Sequence, residues 1–532
     1  MRILLLYANP NQSVPVSPYG LDILAATLRA RRERVDLLTV NPFIESTDPQ
    51  AWLRSVLIAY QPDLVGLSIR NIDNAIVAIS ADTPASGSPI DVVPYAPSVR
   101  DLVNVLKEWN DDVPCIAGGS GFTSCPIEFL RYLGLDYGFL GSAEDSFARL
   151  VAGLRNAGPP YRQRVAVLLP ALPGAVTVSG PLRRTSAGIS LRSEPASSPR
   201  LAAEYQLLYR LRNIPAAVRT KSGCPLRCSY CTDPINLRRT ERRPADNVVA
   251  EFRHHVDEHG ITDFHVADAE LNLPYEDHLF RVCEGLRDSG LAHRITWRGY
   301  FNVIPFSDEL VRAIAEAGCR SPSFAVDSFD EAGLRVYGKN FRLHHVHDVL
   351  QRFLARGPEI HPEVCLLLGR PGETLGSIDT NIRWMLEYAD KGVQISYSCG
   401  LRVYPNTPLA RMPLDASHIY LPSGPSERCG MVLYSPDELL AEPIVYCEPL
   451  APRELVRYLA ERVGGHPNIN IFADWPWPEA HHAEELRLLN VGVHRIAYGR
   501  SGEAVNHLTG ALRRNPGLWP ARAALKVARG PQ

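Results

Sequence analysis

The chain has 532 residues, of which 45% are hydrophobic and 21% are charged, a composition typical of a globular protein. This length exceeds what one hydrophobic core supports and predicts two to four domains. The 56 basic and 58 acidic residues almost cancel, so nucleic acid is not expected as a partner.

Neither secretion nor membrane insertion is predicted. The apolar run at residues 3–7 is too short for a signal peptide, and no stretch approaches the roughly 20 apolar residues that span a bilayer. We therefore expect a cytoplasmic protein without a membrane partner. Eight cysteines are scattered singly, as reduced core residues are: Cys115, Cys125, Cys283, Cys319, Cys365, Cys399, Cys429 and Cys447.

Residues 1–154 predict a Rossmann-like α/β domain. Apolar runs at 3–7, 35–40, 64–68, 113–117 and 137–140 alternate with helical periodicity, which indicates a doubly wound parallel sheet. Ligands bind such sheets beyond the carboxyl ends of the strands. The candidate cofactor-binding residues at these ends and at the first helix are Ser17, Gly20, Ser68, Arg70, Asn71, Gly118, Gly119, Gly141 and Glu144.

The glycines at these strand ends indicate a ligand that approaches the backbone. Gly118, Gly119 and Gly141 carry no side chain that would keep a large ligand away. No Gly-x-Gly-x-x-Gly motif opens the first helix, so a dinucleotide is disfavoured. Residues 155–205 are rich in proline and serine and predict a linker.

Three cysteines follow the spacing Cys-x3-Cys-x2-Cys at Cys224, Cys228 and Cys231. Thiolates suit iron–sulfur clusters, and three of them can bind three irons of a [4Fe–4S] cluster while the fourth iron stays open. A zinc site is the alternative, but zinc normally takes a fourth cysteine or histidine nearby. Gly223 and Pro225 indicate a loop rather than a core helix.

Residues 206–425 predict a full or partial (β/α) barrel. Apolar runs at 264–267, 295–300, 323–327, 364–368 and 393–398 each end at polar residues, and the active site of such a barrel lies at this carboxyl edge. Residues 426–532 predict a small α-rich cap or substrate-channel domain. The candidates at the strand ends are Asp268, Glu270, Trp297, Arg298, Tyr300, Asn302, Asp327, Gly369, Gly372 and Tyr404.

The order of these parts resembles the cobalamin-dependent (class B) radical S-adenosylmethionine (SAM) methyltransferases. The motifs that carry the resemblance are an aromatic residue, Tyr230, before the third cysteine, and the segments 18–21, 118–121, 141–144, 369–374 and 404–409. The resemblance covers about residues 1–450. It implies cobalamin in the first domain, a [4Fe–4S] cluster on the three cysteines, and SAM on the open iron. The residues implied to surround SAM are Tyr230, Asp268, Glu270, Asp327, Gly369 and Gly372.

Arg70 and Glu270 resemble residues of the tryptophan 2-C-methyltransferase and P-methyltransferase branch of this family. In that branch an arginine faces cobalt and blocks a lower ligand, and a glutamate occupies the fourth iron. The alternatives are a surface ion pair between Arg70 and Asp73, and a hydrogen bond that Glu270 accepts from the SAM ribose. No histidine ligand to cobalt is expected, because the motif Asp-x-His-x-x-Gly is not present in the first domain.

The resemblance implies methyl transfer from SAM, by way of methylcobalamin, to a carbon or phosphorus atom of a small-molecule or peptide precursor, as in antibiotic biosynthesis. A radical route and a polar route both stay open, with flavodoxin or ferredoxin as electron donor. Arg70, Glu270, Tyr300 and Tyr404 are the catalytic candidates. The alternatives are rearrangement or cyclisation without methyl transfer, and a non-enzymatic cobalamin-binding sensor or carrier.

Overall fold

The computed structural model describes residues 1–10, 16–31, 33–74, 77–78, 90–178, 215–232, 240–357, 359–421, 424–425, 444–471, 484–497 and 499–530. The chain forms two compact units. The first comprises Met1–Ile72, Tyr95–Ala217 and Glu479–Gln532, and the second comprises Asp73–Pro94 and Val218–Pro478. Across the described ranges, every helix is too short or too polar to cross a membrane.

The first unit contains a six-stranded sheet with the strand order β2-β1-β3-β4-β5-β6. The first five strands pair in parallel, and β6 pairs antiparallel with β5. This confirms the five predicted strands, with bounds shifted by no more than two residues. The strands are β1 (Arg2–Tyr7), β2 (Asp36–Val40), β3 (Leu64–Ser68), β4 (Cys115–Gly118), β5 (Tyr137–Phe139) and β6 (Ala175–Thr177).

Helices cover this sheet, and β1 is buried along almost its whole length because both faces of a doubly wound sheet are covered. Helix Tyr19–Ala30 packs Leu21 and Leu28 into the same core as Ile3 and Leu5. The helices of this unit are Tyr19–Ala30, Pro42–Glu45, Pro49–Tyr60, Ala96–Asn110, Ser120–Ser124, Pro126–Leu133, Glu144–Ala157, Tyr161–Leu168, Glu484–Ala497, Ser501–Arg514 and Trp519–Arg529.

The second unit contains a seven-stranded sheet with the strand order β19-β14-β13-β12-β11-β10-β7. The pairs from β10 to β19 are parallel, and the sheet stays open, so the predicted barrel is a partial one. Its strands are β7 (Ala216–Val218), β10 (Asp263–Val266), β11 (Thr296–Tyr300), β12 (Cys319–Asp327), β13 (Glu363–Leu368), β14 (Gln394–Cys399) and β19 (Ile469–Ile471).

Two small antiparallel sheets complete this unit. The strands β8 (Lys221–Ser222) and β9 (Glu241–Arg242) pair with each other. A four-stranded sheet has the order β15-β18-β16-β17, from Leu401–Arg402, Val445–Tyr446, Ile419–Leu421 and Gly424–Pro425. The helices of this unit are Ala245–His259, Glu276–Asp288, Asp308–Glu316, Glu331–Val336, Leu343–Leu354, Leu375–Asp390 and Pro452–Val463.

The structure divides the chain differently from the predicted domain bounds. The predicted linker begins too early, because residues up to 178 form helices and the antiparallel strand β6 of the first unit. The segment 426–532, predicted as a cap or substrate-channel domain, is divided between the units: β19 extends the second sheet, whereas Glu484–Ala497 packs on Pro42–Glu45 in the first unit. Residues 179–205 of the predicted linker and the tryptophan- and proline-rich segment 475–478 lie outside the described residues.

The strands of the second sheet bury alternate side chains. In β10, β13 and β14 every second residue is fully buried against the helices, and the residues between them stay half-buried. Alternate residues of a strand point to opposite faces of the sheet. The sheet therefore has one apolar face under the helices and one accessible face with polar side chains.

Candidate functional site

The first unit has its switch point between β1 and β3, since β2 lies on one side of β1 and the later strands lie on the other. Ligands of such sheets bind in the crevice at this point. Tyr7 ends β1, and its hydroxyl accepts a hydrogen bond from Asn9 Nδ2 at 3.1 Å and contacts Arg70. Burial raises the pKa of Tyr7, and the Arg70 guanidinium opposes this. Arg70 itself is exposed, just beyond β3.

Asp73, the partner that the alternative interpretation assumed for Arg70, belongs to the second unit. It is buried there and forms an ion pair with Arg402. The structure thus assigns Asp73 a different partner. Arg70 instead lies with Tyr7 at the switch point, and its predicted contact with cobalamin stays a prediction.

Two of the predicted glycines, Gly118 and Gly119, differ in how much space surrounds them. Around Gly118, a Cβ atom would meet nothing closer than Phe139 O at 3.8 Å, so this strand end is open. Gly119 has a φ of 102°, and a Cβ atom there would lie 2.5 Å from Ile69 O. Packing between the loops after β3 and β4 therefore requires Gly119. Its predicted place beside a ligand stays a prediction.

The remaining candidates of the first unit lie near the carboxyl edge of its sheet. Ser17 is buried just before the first helix, and Gly20 in that helix has no neighbour where a Cβ atom would lie. Gly141 donates its N–H to Thr123 Oγ1 at 3.0 Å. The others are Ser68, which ends β3, Asn71 in the following loop, and Glu144 in the first turn of Glu144–Ala157.

These residues fit a large cofactor that receives no imidazole from the sheet domain. The first histidine of the chain is His254, so the first 253 residues contain none. A cation, Arg70, stands at the switch point instead, and the open positions at Gly20 and Gly118 leave space for a ligand. Corrin binding without a protein histidine is consistent with this set.

The three cysteines of the second unit lie on one loop after β8. Cys224 and Cys228 are buried, whereas Cys231 is half-buried. The loop is held at Ser229, whose N–H donates to Tyr337 O at 2.9 Å and whose carbonyl accepts from Leu409 N at 2.8 Å. The sequence therefore folds into a fixed loop that presents soft ligands.

Among the described residues, no three histidine, cysteine or carboxylate groups are placed as ligands of one metal ion. The thiolates of a four-iron cluster bind separate irons and do not converge on one point. Three thiols on one loop fit such a cluster with one open iron.

Two carboxylates near this loop have strained backbone. Glu270 has a φ of 52° and Asp327 a φ of 66°, in the left-handed region that residues other than glycine rarely adopt. Such strain persists only where surrounding contacts impose it, and it clusters at functional sites. The charges of Glu270 and Asp327 both act on Cys228. Glu270 therefore lies close enough to the cysteine loop to act on Cys228. Its role at the open iron stays a prediction.

Asp268 holds the chain that leads into the cysteine loop. It is buried, and it accepts hydrogen bonds from Thr220 N at 2.9 Å, Thr220 Oγ1 at 2.5 Å and Lys221 N at 3.0 Å. Burial raises the pKa of Asp268, and the buried Lys221 ammonium opposes this. Asp268 was predicted to bind a cofactor, but the structure supports a positioning role for it.

The loop after β13 is built around Glu373. This buried carboxylate accepts hydrogen bonds from Gly369 N at 2.6 Å and Arg370 N at 3.2 Å, so it fixes the turn from within. Gly369 and Gly372 both have positive φ, at 100° and 70°. Thr374 accepts a hydrogen bond from Ser377 N at 3.1 Å and caps Leu375–Asp390.

The accessible face of the second sheet carries a connected set of polar groups. Glu363 accepts hydrogen bonds from Ser323 Oγ at 2.5 Å and Ser396 Oγ at 2.6 Å, on the two neighbouring strands. Tyr300 pairs in register with Ser323, and Cys365 pairs with Ser396. Burial raises the pKa of Tyr300, and the Cys365, Glu363 and Glu270 charges add to the rise. Sequence reasoning missed Glu363 because it begins a strand rather than ending one.

Three other aromatic or amide candidates differ in placement. Trp297 is buried in the core, and its Nε1 donates to Ala317 O at 2.9 Å, so it lies on the apolar face and is not a substrate contact. Asn302 is also buried, and its N–H donates to Asn272 Oδ1 at 2.9 Å. Tyr404 is half-buried, with the Arg402 guanidinium 4.9 Å from its ring centre. Arg298 is ion-paired with Asp263 at 3.0 Å.

Comparison with protein families agrees with this geometry. A model of the B12 binding domain matches residues 13–151, and a model of the radical SAM superfamily matches residues 218–385. The first match contains β2–β5 and Arg70, and the second contains the cysteine loop and strands β10–β13. The two matched domains therefore coincide with the two candidate sites.

Two proteins similar to this chain are methyltransferases. The tryptophan 2-C-methyltransferase of Streptomyces laurentii is 26% identical over 473 residues, which cover 76% of this chain and 73% of that protein. The structure of TsrM, a radical SAM methyltransferase from Kitasatospora setae with tryptophan and a SAM analogue, has a TM-score of 0.70 at 19% identity and covers 94% of this chain and 99% of that one.

A further solved structure is that of OxsB, a cobalamin-dependent SAM radical enzyme with aqua-cobalamin and SAM bound. Its TM-score is 0.57 at 17% identity, with 74% of this chain and 52% of that chain covered. At these identities the two structural matches establish the fold.

Proposed function

Since the chain belongs to the cobalamin-dependent radical SAM methyltransferases, we propose that it moves a methyl group from SAM, through cobalamin, to a carbon atom of a small molecule with an aromatic ring and an amino group. The observation that carries the proposal is the switch point of the first unit. It presents Arg70 in a matched B12-binding domain that contains no histidine.

Bound cobalamin would supply a cobalt atom that accepts a methyl group and gives it up again. The residues that hold cobalamin would offer cobalt no strong ligand, because low coordination would favour the electron-rich metal. Arg70 suits this task, since its guanidinium carries no lone pair for cobalt and stays charged at any working pH. Its contact with the Tyr7 hydroxyl orients it.

The second unit would hold the iron–sulfur cluster with the thiols of Cys224, Cys228 and Cys231. SAM would bind at the open iron, next to the turn that Glu373 fixes at Gly369. Electrons for the cluster would come from a carrier such as flavodoxin or ferredoxin. These roles rest on the donor set and on the fixed loops of the unit.

The accessible face of the sheet supports an amino-bearing substrate. Each oxygen of Glu363 accepts one serine hydroxyl and keeps a further lone pair, so the carboxylate can accept a hydrogen bond from a substrate ammonium. Tyr300 offers a hydroxyl near the same rung of the sheet. The relative named for tryptophan makes an indole amino acid the first substrate to test.

The experiment is an anaerobic assay of the protein reconstituted with iron, sulfide and cobalamin. L-Tryptophan and SAM with a labelled methyl group are added, and mass spectrometry detects labelled product and S-adenosylhomocysteine. Cys228→Ala serves as the inactive control. Both products in equal amounts support the proposal. A new product without the label indicates rearrangement and refutes methyl transfer, whereas S-adenosylhomocysteine formed only with other substrates refutes the substrate class alone.

A further inference from the structure

Lys339 is a buried lysine that the proposed function does not use. Its side chain is 2% exposed, as is that of Asp327, and its Nζ lies 2.5 Å from Asp327 Oδ2. The ammonium also donates to Ala325 O at 2.7 Å and lies 3.3 Å from the Tyr230 hydroxyl. All three donor positions of the ammonium thus have partners in the second unit.

The same ion pair holds the aromatic residue of the cysteine loop. The Tyr230 hydroxyl donates to Asp327 Oδ2 at 2.6 Å, and the Lys339 ammonium lies 5.5 Å from the centre of the Tyr230 ring. Burial raises the pKa of Tyr230 far above its usual value. Tyr230 stands between Ser229 and Cys231, so the pair anchors the loop between its second and third cysteines.

The backbone around Lys339 is packed on the cysteine loop as well. Tyr337 O accepts the Ser229 N–H at 2.9 Å, and Gly338 has a φ of 69°. A Cβ atom at Gly338 would lie 3.2 Å from Arg227 O and 4.0 Å from Cys228 Cα. Lys339 is therefore fixed in place beside Cys228 by its own chain.

Stability alone does not explain this arrangement. Two charges taken out of water are expensive, and apolar residues of similar volume often replace a buried ion pair without loss of stability. A fixed charge in a low dielectric acts strongly on its neighbours, however. The backbone one residue before Lys339 packs against Arg227 and Cys228, so this buried charge lies beside the cysteine loop.

We propose that Lys339 is a positioning residue for the iron–sulfur cluster, whose buried positive charge beside Cys228 stabilises the reduced, more negative state. The proposal rests on the three-cysteine cluster of the proposed function. It adds a determinant of the reduction potential that the cysteine motif does not contain. Asp327 has the opposite effect, because its negative charge disfavours the reduced state.

The test compares the reduction potential of the loaded cluster in three variants, measured by redox titration with electron paramagnetic resonance. Lys339→Met removes the positive charge, Asp327→Asn removes the negative one, and the double variant removes both without stranding a buried charge. Lys391→Met is the matched control, because this half-exposed lysine lies on the surface, where it pairs with Glu387 at 2.8 Å and contacts the Tyr388 ring. Iron and sulfide contents are measured first.

We expect Lys339→Met to shift the balance between reduced and oxidised cluster about tenfold toward the oxidised state, which lowers a one-electron potential by about 59 mV. Asp327→Asn should raise the potential, and the double variant should fall between them. Lys339→Arg keeps the positive charge, so its reduction potential should lie close to that of the unmodified protein. A merely structural role does not produce shifts of opposite sign.

Equal potentials in the loaded variants would overturn the proposal. A double variant that keeps its circular dichroism spectrum but takes up no iron would also overturn it, because the pair would then shape the loop without setting its charge. Loss of iron from every protein, the control and the unmodified chain included, would instead contradict the cluster itself and so the proposed function.

Discussion

Asp268→Asn tests whether the cysteine loop is held in place from the end of β10. The carboxylate accepts three hydrogen bonds, two from backbone N–H groups and one from the Thr220 hydroxyl. An asparagine keeps only one acceptor oxygen, so in either orientation of its amide an NH2 group faces the N–H of Thr220 or of Lys221. The buried Lys221 ammonium also loses the negative charge beside it.

The cost follows from these contacts. A buried donor left without an acceptor costs about 1–3 kcal/mol, and hydrogen bonds to charged groups lie in the upper part of that range. We therefore expect a local loss of about 3 kcal/mol. Since 1.4 kcal/mol is a factor of ten, the amides of Thr220 and Lys221 should exchange roughly a hundredfold faster. Hydrogen–deuterium exchange with mass spectrometry of the protein without cofactors measures this directly.

Asp277→Asn is the control, because this carboxylate is 65% exposed and forms only surface pairs. A surface substitution of this kind is expected to stay within about 0.5 kcal/mol. The iron content after reconstitution should fall in Asp268→Asn and stay normal in the control. Unchanged exchange at residues 220–221 in Asp268→Asn would refute the reasoning, since the three hydrogen bonds would then contribute nothing to the loop.

Four further results are expected. Arg70→Met should change the visible spectrum of bound cobalamin, and an identical spectrum would remove Arg70 from the pocket. Cys228→Ala should abolish the iron absorbance after reconstitution, whereas Cys283→Ala, a core thiol, should keep it. Gly119→Ala should lower the stability of the first unit by about 1 kcal/mol or more in thermal unfolding, because φ is 102° there, and unchanged unfolding would contradict the steric argument. Glu270→Gln should increase 5′-deoxyadenosine formation if the carboxylate blocks the open iron, and an unchanged yield would refute that role.

Much of the fold follows from periodicity in the sequence. The run at residues 64–68 is a strand with those bounds, and the helix after β1 packs Leu21 and Leu28 into the core. Buried parallel strands are continuous apolar runs, so they are easy to recognise. The carboxyl edge then follows from strand direction alone, which is why Arg70 and Tyr300 lie where they were expected.

Long-range pairing was not predictable in the same way. The strand Ala175–Thr177 is only three residues long and pairs antiparallel, and it lies in a segment whose prolines indicate a linker. Residues 73–94 interrupt the first unit in sequence but belong to the second, where Asp73 pairs with Arg402. Nothing local encodes these partners, since each contact joins residues that are far apart in the chain.

The roles of the polar residues at the edge were the least predictable, and backbone strain explains why. Glu270, Asp327 and Asn406 adopt positive φ in the second unit, although glycine is the residue that local rules expect there. Tertiary contacts impose these conformations, as the hydrogen bonds of Asp327 to Lys339 and Tyr230 show. Conflict between local preference and final structure is expected at functional sites. A sequence motif therefore locates the carboxyl edge of the sheet. It does not tell whether a carboxylate there anchors the loop or faces the cofactor, because this depends on tertiary contacts that the motif does not contain.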